Sequence, residues 1–390
     1  SLWLRPLPRT LDSLLKGSGL NPQASVDPEV TYQQQALIDE KTSGFVGRAN
    51  VFQAIDSFLS SQPNGYFTIA GDPGVGKSTI LAQFVRRTGC LAHFNVRSQG
   101  IDRTDQFLDS ICRQLADRYT LPYTSPPAGA LRDGVIFKEL LDQAAGSLPE
   151  GERLVIAIDA LDEVDLASQN PRANVLYLPS SLPDRVYIVM TRRSVTLPLV
   201  VNAPQHLFDL MDHPEESLKD AETYIRLAAG RPALQEWIRS QGIGTEDFVT
   251  VLAGKSESNF MYLRYVLMDI EHRLYWDFSI DNLPEGLEAS YEDHWRRMGM
   301  TAVPLPQVKV KIIYVMAEVR QPVPRYLVSE FAGEDQLTVQ ESLDEWAQFL
   351  HQVSLEEQPH YSLYHTSFRD FLHRKDIVQA AGVTLQGIHA

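Results

Sequence analysis

Cysteine is scarce in this chain: of 390 residues, only Cys90 and Cys112 carry a thiol. Two thiols so far apart suggest neither a disulfide framework nor a zinc site. Long apolar runs are also missing. None approaches the roughly 18–20 residues of a membrane span, and no signal-peptide pattern opens the chain. A cytoplasmic protein with no membrane partner is expected. Positive charge is in deficit, with 35 Lys and Arg against 50 Asp and Glu, a net charge of −15. That balance argues against the whole chain clinging to nucleic acid, which is unlike a partner here. Ser1 stands where an initiating methionine would, so sequence upstream is expected. No internal repeat and no low-complexity tract appears. What remains is an ordinary globular composition, 44% apolar and 22% charged, long enough for two or three domains.

The informative stretch is Tyr66 to Ser78. An apolar, β-rich run leads into Gly71-Asp72-Pro73-Gly74-Val75-Gly76-Lys77-Ser78, and Thr79 to Arg87 then carries helical spacing, with Ile80, Leu81, Phe84 and Val85 on one face. Strand, glycine loop and helix are the context a phosphate-binding loop requires. Its backbone N–H groups and the positive end of the helix converge on one anion. Lys77 is expected at the β- and γ-phosphates, and the Ser78 hydroxyl on Mg²⁺. The competing reading, a glycine turn with an exposed lysine, loses its force once the flanking strand and helix are counted.

Further strands are expected at 91–96, 154–159 and 186–190, with helices between them. Leu154 to Asp159 is a continuous apolar run ending in a carboxylate, as expected of a strand buried on both faces of a parallel sheet. The fold class is therefore α/β, a doubly wound parallel sheet of the P-loop type, with ligands at the C-terminal strand ends. Helical character dominates from 208 to 300. The last 90 residues read as three helices and a β-hairpin turning at 356–360, a winged helix. The organisation is 1–42 helix and linker, 43–207 nucleotide-binding domain, 208–300 helical domain, 301–376 winged-helix domain and 377–390 linker.

At the strand ends, Asp159 is placed to hold Mg²⁺ opposite Ser78. Glu163 is the first candidate to orient and polarise the attacking water, and Asp162 the second. Taken singly, such acids also serve as solvated surface or helix caps. Arg192 or Arg193, at the end of the next strand, can bring a guanidinium to the γ-phosphate, or be a surface arginine. No N/T-K-x-D guanine-reading motif follows, which favours adenine. The stretch Phe45-Val46-Gly47-Arg48, with the helix that follows, reads equally as a neighbour of the base or as a capping helix.

In these motifs the chain resembles the NACHT group of STAND nucleotide-switch ATPases, over roughly residues 43–375. Phe45-Val46-Gly47-Arg48 looks like the family's motif near the base. Ile158-Asp159-Ala160-Leu161-Asp162-Glu163 is similar to its form of the Walker B segment, with the acidic pair delayed. Met190-Thr191-Arg192-Arg193 looks like its sensor strand and favours Arg193. Lys255 to Tyr262 and Leu283 to Leu287 look like helical-domain motifs, and His365 to Leu372 is similar to the end of the winged helix. The resemblance implies bound ATP or ADP with Mg²⁺, slow hydrolysis and nucleotide-gated self-association. It also implies effector and sensor domains outside this chain, and a histidine, His365, on the β-phosphate of ADP. Read without the family, His365 is equally a hydrogen-bonded structural residue. Where the family packs a proline on adenine, this chain has Ser258-Asn259-Phe260, so Phe260 is the candidate there. An AAA-like ATPase or a STAND transcription regulator acting on DNA is the alternative; a DNA reader needs a basic helix, and 336–350 has no lysine or arginine.

Overall fold

The computed structural model describes residues 28–121, 133–276, 278–319, 321–355 and 358–380. These form two compact units, the first holding residues to 72, 76–95 and 102–220, the second 73–75, 96–101 and 221 onward.

In the first unit, chain order runs α1 (Pro28–Thr42), α2 (Ala49–Ser61), β1 (Gly65–Ala70), α3 (Lys77–Thr88), β2 (Leu91–Phe94) and α4 (Thr104–Tyr119). It continues with α5 (Val135–Ser147), β3 (Leu154–Asp159), β4 (Val186–Arg192) and β5 (Gln205–Asp209). The sequence also predicts a loop at Pro122, Pro126 and Pro127, which lie outside the described residues. The apolar stripes fold as their spacing dictates. Val51, Phe52, Ile55, Phe58 and Leu59 of α2 are buried, as are Ile80, Leu81, Phe84 and Val85 of α3. Gly89 ends α3 in the left-handed conformation, φ 62°, its N–H on the Val85 carbonyl.

All five strands are parallel, in the order β2-β3-β4-β1-β5. Every residue of β1 and β3 is buried, because helices cover both faces of such a sheet. Ala70 pairs with Arg192, and Ile158 with Met190, so β1, β3 and β4 end at one edge. β5 was not expected. It is short, its first three residues are exposed, and its Gln205-His206 start lacks the apolar run of an inner strand. Helical structure therefore begins after 209 rather than at 208. The outer edge of β2 is closed by a side chain. Gln114 of α4 accepts from the Ala92 N–H at 3.0 Å and donates to the Ala92 carbonyl at 2.9 Å, as a paired strand would. Cys90 and Cys112 are both buried here. Burial pushes their thiols up, to about 11 and about 12.

The second unit takes in α6 (Pro214–Ala228) from Ala221, then α7 (Pro232–Ser240), α8 (Thr245–Ser256), α9 (Phe260–Glu271) and α10 (Gly286–Arg297). Trp237, Phe248, Leu252, Leu263 and Val266 fill their core, and the Trp237 indole N–H donates to the Tyr275 carbonyl at 3.0 Å. α11 (Gln307–Glu318), β6 (Val323–Pro324), α12 (Arg325–Ala332) and α13 (Gln336–Glu345) follow. β7 (Leu350–Leu355), β8 (Gln358–Leu363), α14 (Thr366–Leu372) and α15 (Lys375–Ala380) complete the described chain. The three strands form an antiparallel sheet, β6-β8-β7. An aromatic core of Tyr291, Trp295, Trp346, Phe349, Phe368 and Phe371 holds these elements, with Phe349 stacked on Phe368 at 4.3 Å.

α13 stops at Glu345, short of the expected 350, because Leu350 already pairs with Leu363. Pairing extends to Leu355 and Gln358, so 358–360, expected in the turn, stand in β8; 356–357 lie outside the described residues. α15 runs into the stretch read as a linker, where Ile377 is buried. Among the described residues no helix is long and apolar enough to cross a membrane.

Candidate functional site

The site grows from the common edge of β1, β3 and β4. After β1 the chain turns through Gly74 at φ 84° and Gly76 at φ 96°, a region closed to most side chains. A Cβ on Gly76 would meet nothing within 4 Å, so backbone conformation rather than crowding asks for glycine there. Asp72 is exposed, Val75 buried, and Pro73 and Thr79 lie between. The Lys77 ammonium donates to the carbonyls of Gly71 and Asp72, both at 2.8 Å. Burial lowers its pKa, the carboxylates of Asp162 and Asp159 oppose that, and the Arg193 cation adds to it. Lys77, Asp159, Asp162 and Arg193 thus share one electrostatic environment.

Asp159, 2% exposed, ends β3. Burial raises its pKa, against the cations of Lys41 and Lys77 and hydrogen bonds from the Thr191 and Ser78 hydroxyls. Thr191 Oγ1 donates to Asp159 Oδ1 at 2.5 Å and accepts the Ala160 N–H at 2.8 Å. Asn95, also 2% exposed, donates from Nδ2 to the Asp159 carbonyl at 2.6 Å. Thr191 and Asn95 were missed in the sequence. Only the adjacency of β2, β3 and β4 gives these polar residues meaning. Magnesium takes hard oxygen ligands. The Ser78 hydroxyl and the Asp159 carboxylate, hydrogen-bonded to each other, fit it.

Ala160, at φ 50° and ψ 56°, turns the chain into a short 3₁₀ segment, Leu161–Glu163. That turn sends Asp162 across to the end of β4. Its Oδ1 accepts the Arg193 backbone N–H at 2.9 Å, and its Oδ2 lies 3.1 Å from Arg193 Nε. Glu163 follows, half-buried. Of the two arginines, Arg192 turns away, donating to the Val195 carbonyl at 2.6 Å, and Arg193 stands in the acidic cluster.

Phe45 and Val46 are half-buried, with Phe45 edge-on to Phe52 at 5.9 Å. Arg48, 3% exposed, sits at φ 62° before α2. Its N–H donates to Asp220 Oδ2 and its Nη1 to Ser217 Oγ, both at 3.0 Å. Burial lowers its pKa and the Asp220 charge opposes that. The Asp220 carboxylate occupies the space of a residue-47 side chain: a Cβ on Gly47 would fall 1.9 Å from Oδ1. In the second unit, Phe260 opens α9, edge-on to Tyr224 at 5.6 Å. His365 caps α14. Its Nδ1 accepts the Ser367 N–H at 3.1 Å, which leaves the proton of the neutral ring on Nε2.

Residues 44–189 match the AAA ATPase domain family. That span holds β1, the glycine loop, Asp159, Asp162 and Glu163. Comparison with curated proteins gives no match. Among solved structures, the chain is similar to a Signal Transduction ATPase with Numerous Domains (STAND) from Pyrococcus horikoshii that has a tetratricopeptide repeat sensor. Identity is 13% and the TM-score 0.44, over 86% of this chain and 44% of that one. The chain thus spans under half the length of that protein. It is also similar to the RuvB Holliday junction branch migration motor of Thermotoga maritima. There identity is 14% and the TM-score 0.32, over 85% of this chain and 96% of that one.

Proposed function

We propose that this chain is the ATP/ADP-binding core of a signalling switch, with slow Mg²⁺-dependent hydrolysis. One observation carries the reading: a single edge of a parallel sheet brings together Lys77, Ser78, Asp159, Asp162 and Arg193, behind a loop whose glycines take positive φ. Lys77 binds the terminal phosphates. Ser78 and Asp159 would hold Mg²⁺, which would neutralise charge on the phosphates. Glu163 orients the attacking water, and Arg193 reads the γ-phosphate. In this reading Phe45 and Val46, in the first unit, face the base. A sensor domain outside the chain favours the exchange of ADP for ATP and self-association, which activates a separate effector. The domain boundaries read from the sequence, winged helix included, belong to the same proposal.

Nucleotide binding to the purified protein is the first test. Lys77→Ala is expected to weaken adenine nucleotide binding about a hundredfold, and an unchanged affinity overturns the reading. Glu163→Gln is expected to keep binding and lose hydrolysis about a hundredfold; unchanged turnover means that the water is oriented elsewhere. The second reading is an AAA-like ATPase acting on DNA; the match to the AAA ATPase domain family supports its ATPase part alone. Hydrolysis stimulated by DNA at low salt decides for it.

A further inference from the structure

The acidic pair after Asp159 invites the view that both carboxylates do the same work. Their surroundings say otherwise for Asp162. A water-activating base needs an oxygen turned toward the water. Asp162 has one oxygen on the Arg193 N–H and the other on Arg193 Nε. These two contacts hold both the backbone and the guanidinium of one residue. The pair is well shielded, with side-chain exposures of 9% for Asp162 and 24% for Arg193, so solvent screening is reduced.

The bond is one half of a reciprocal stitch. The chain after β3 gives its Ala160 N–H to Thr191 of β4, and the chain after β4 gives its Arg193 N–H to Asp162. The left-handed turn at Ala160 makes both halves reachable. Arg193 is therefore held relative to Asp159, which the same threonine grips.

We propose that Asp162 is a positioning residue that holds Arg193 where a terminal phosphate is read, and so sets the preference for a nucleoside triphosphate over a diphosphate. The inference rests on the nucleotide reading above. A guanidinium that loses the Asp162 contact is less well ordered and pays more ordering entropy on meeting the phosphate. Diphosphate, which offers no γ-oxygen, is indifferent to that loss.

The experiment measures the affinities of ADP and a non-hydrolysable ATP analogue, with Mg²⁺, for the whole chain. Asp162→Ala is expected to lower the triphosphate preference about tenfold, with ADP affinity unchanged. Arg193→Ala should do the same, and the double variant should add nothing further. Asp162→Asn keeps an acceptor for the Arg193 N–H and loses the charge, so a partial loss is expected, and this near-isosteric change covers the case in which Asp162→Ala fails to fold. An unchanged preference overturns the proposal. So does a raised preference, which would mean that Asp162 competes with phosphate for Arg193, and so does an equal fall in both affinities, the mark of a merely structural role. If the unaltered chain binds neither nucleotide, the functional reading itself fails and the inference falls with it.

Discussion

Ala160 carries more of the site than its methyl group suggests. A left-handed alanine costs about 1–2 kcal/mol, and this one spends it to place Asp162 beside Arg193. Glycine removes that strain but loosens the unfolded chain. Ala160→Gly is thus expected to hold or slightly raise the melting temperature. Ala160→Val, β-branched at positive φ, should lower stability by about 2 kcal/mol; thermal unfolding of the two variants checks the order. In the sequence, Lys77, Ser78, Asp159 and the acidic pair were legible, because glycine spacing and a buried run ending in a carboxylate have few other uses. The roles within the pair were not. They depend on a φ angle and on which arginine the next strand turns inward, and Thr191 and Asn95 look like ordinary strand residues until β2, β3 and β4 lie side by side.

Elements were legible in proportion to how fully they are buried. β1, β3 and β4 announce themselves through largely apolar runs. β5 does not, because an edge strand with an exposed start needs no such run. α8 was also missed. Its buried face of Phe248, Val249, Leu252 and Ala253 is interrupted by Thr and Gly positions, which weaken helical periodicity. The Gln114 clip is likewise invisible before folding. Gln114→Leu keeps the volume and strips partners from the Ala92 N–H and carbonyl, so a cost of about 2 kcal/mol is expected in urea unfolding. Hydrogen exchange at Ala92 should accelerate in step.

Across the whole molecule, two buried histidines tie stability to pH. Burial pushes His93, in the first unit, down from 6.5 to about 4. Burial, with the Arg297 cation behind it, takes His294, in the second, to about 3. Below pH 6.5 the unfolded chain takes up protons that these folded rings refuse, so their contribution is whole above 6.5 and is lost as pH falls toward 4 and 3. Each contributes a slope of about 1.4 kcal/mol per pH unit. Replacing His294 by Phe should flatten unfolding free energies measured between pH 6.5 and 5 by about that slope. The two thiols have a use of their own. Both lie in the first unit, and the sequence has no others. A thiol reagent added to the native protein is therefore a stopwatch for the opening of that unit alone, blind to whatever the other does. If adenine nucleotide binds there, saturating ligand slows the reaction in proportion to its concentration over its dissociation constant. Unmodified protein, with no label and no mutation, then reports its own occupancy.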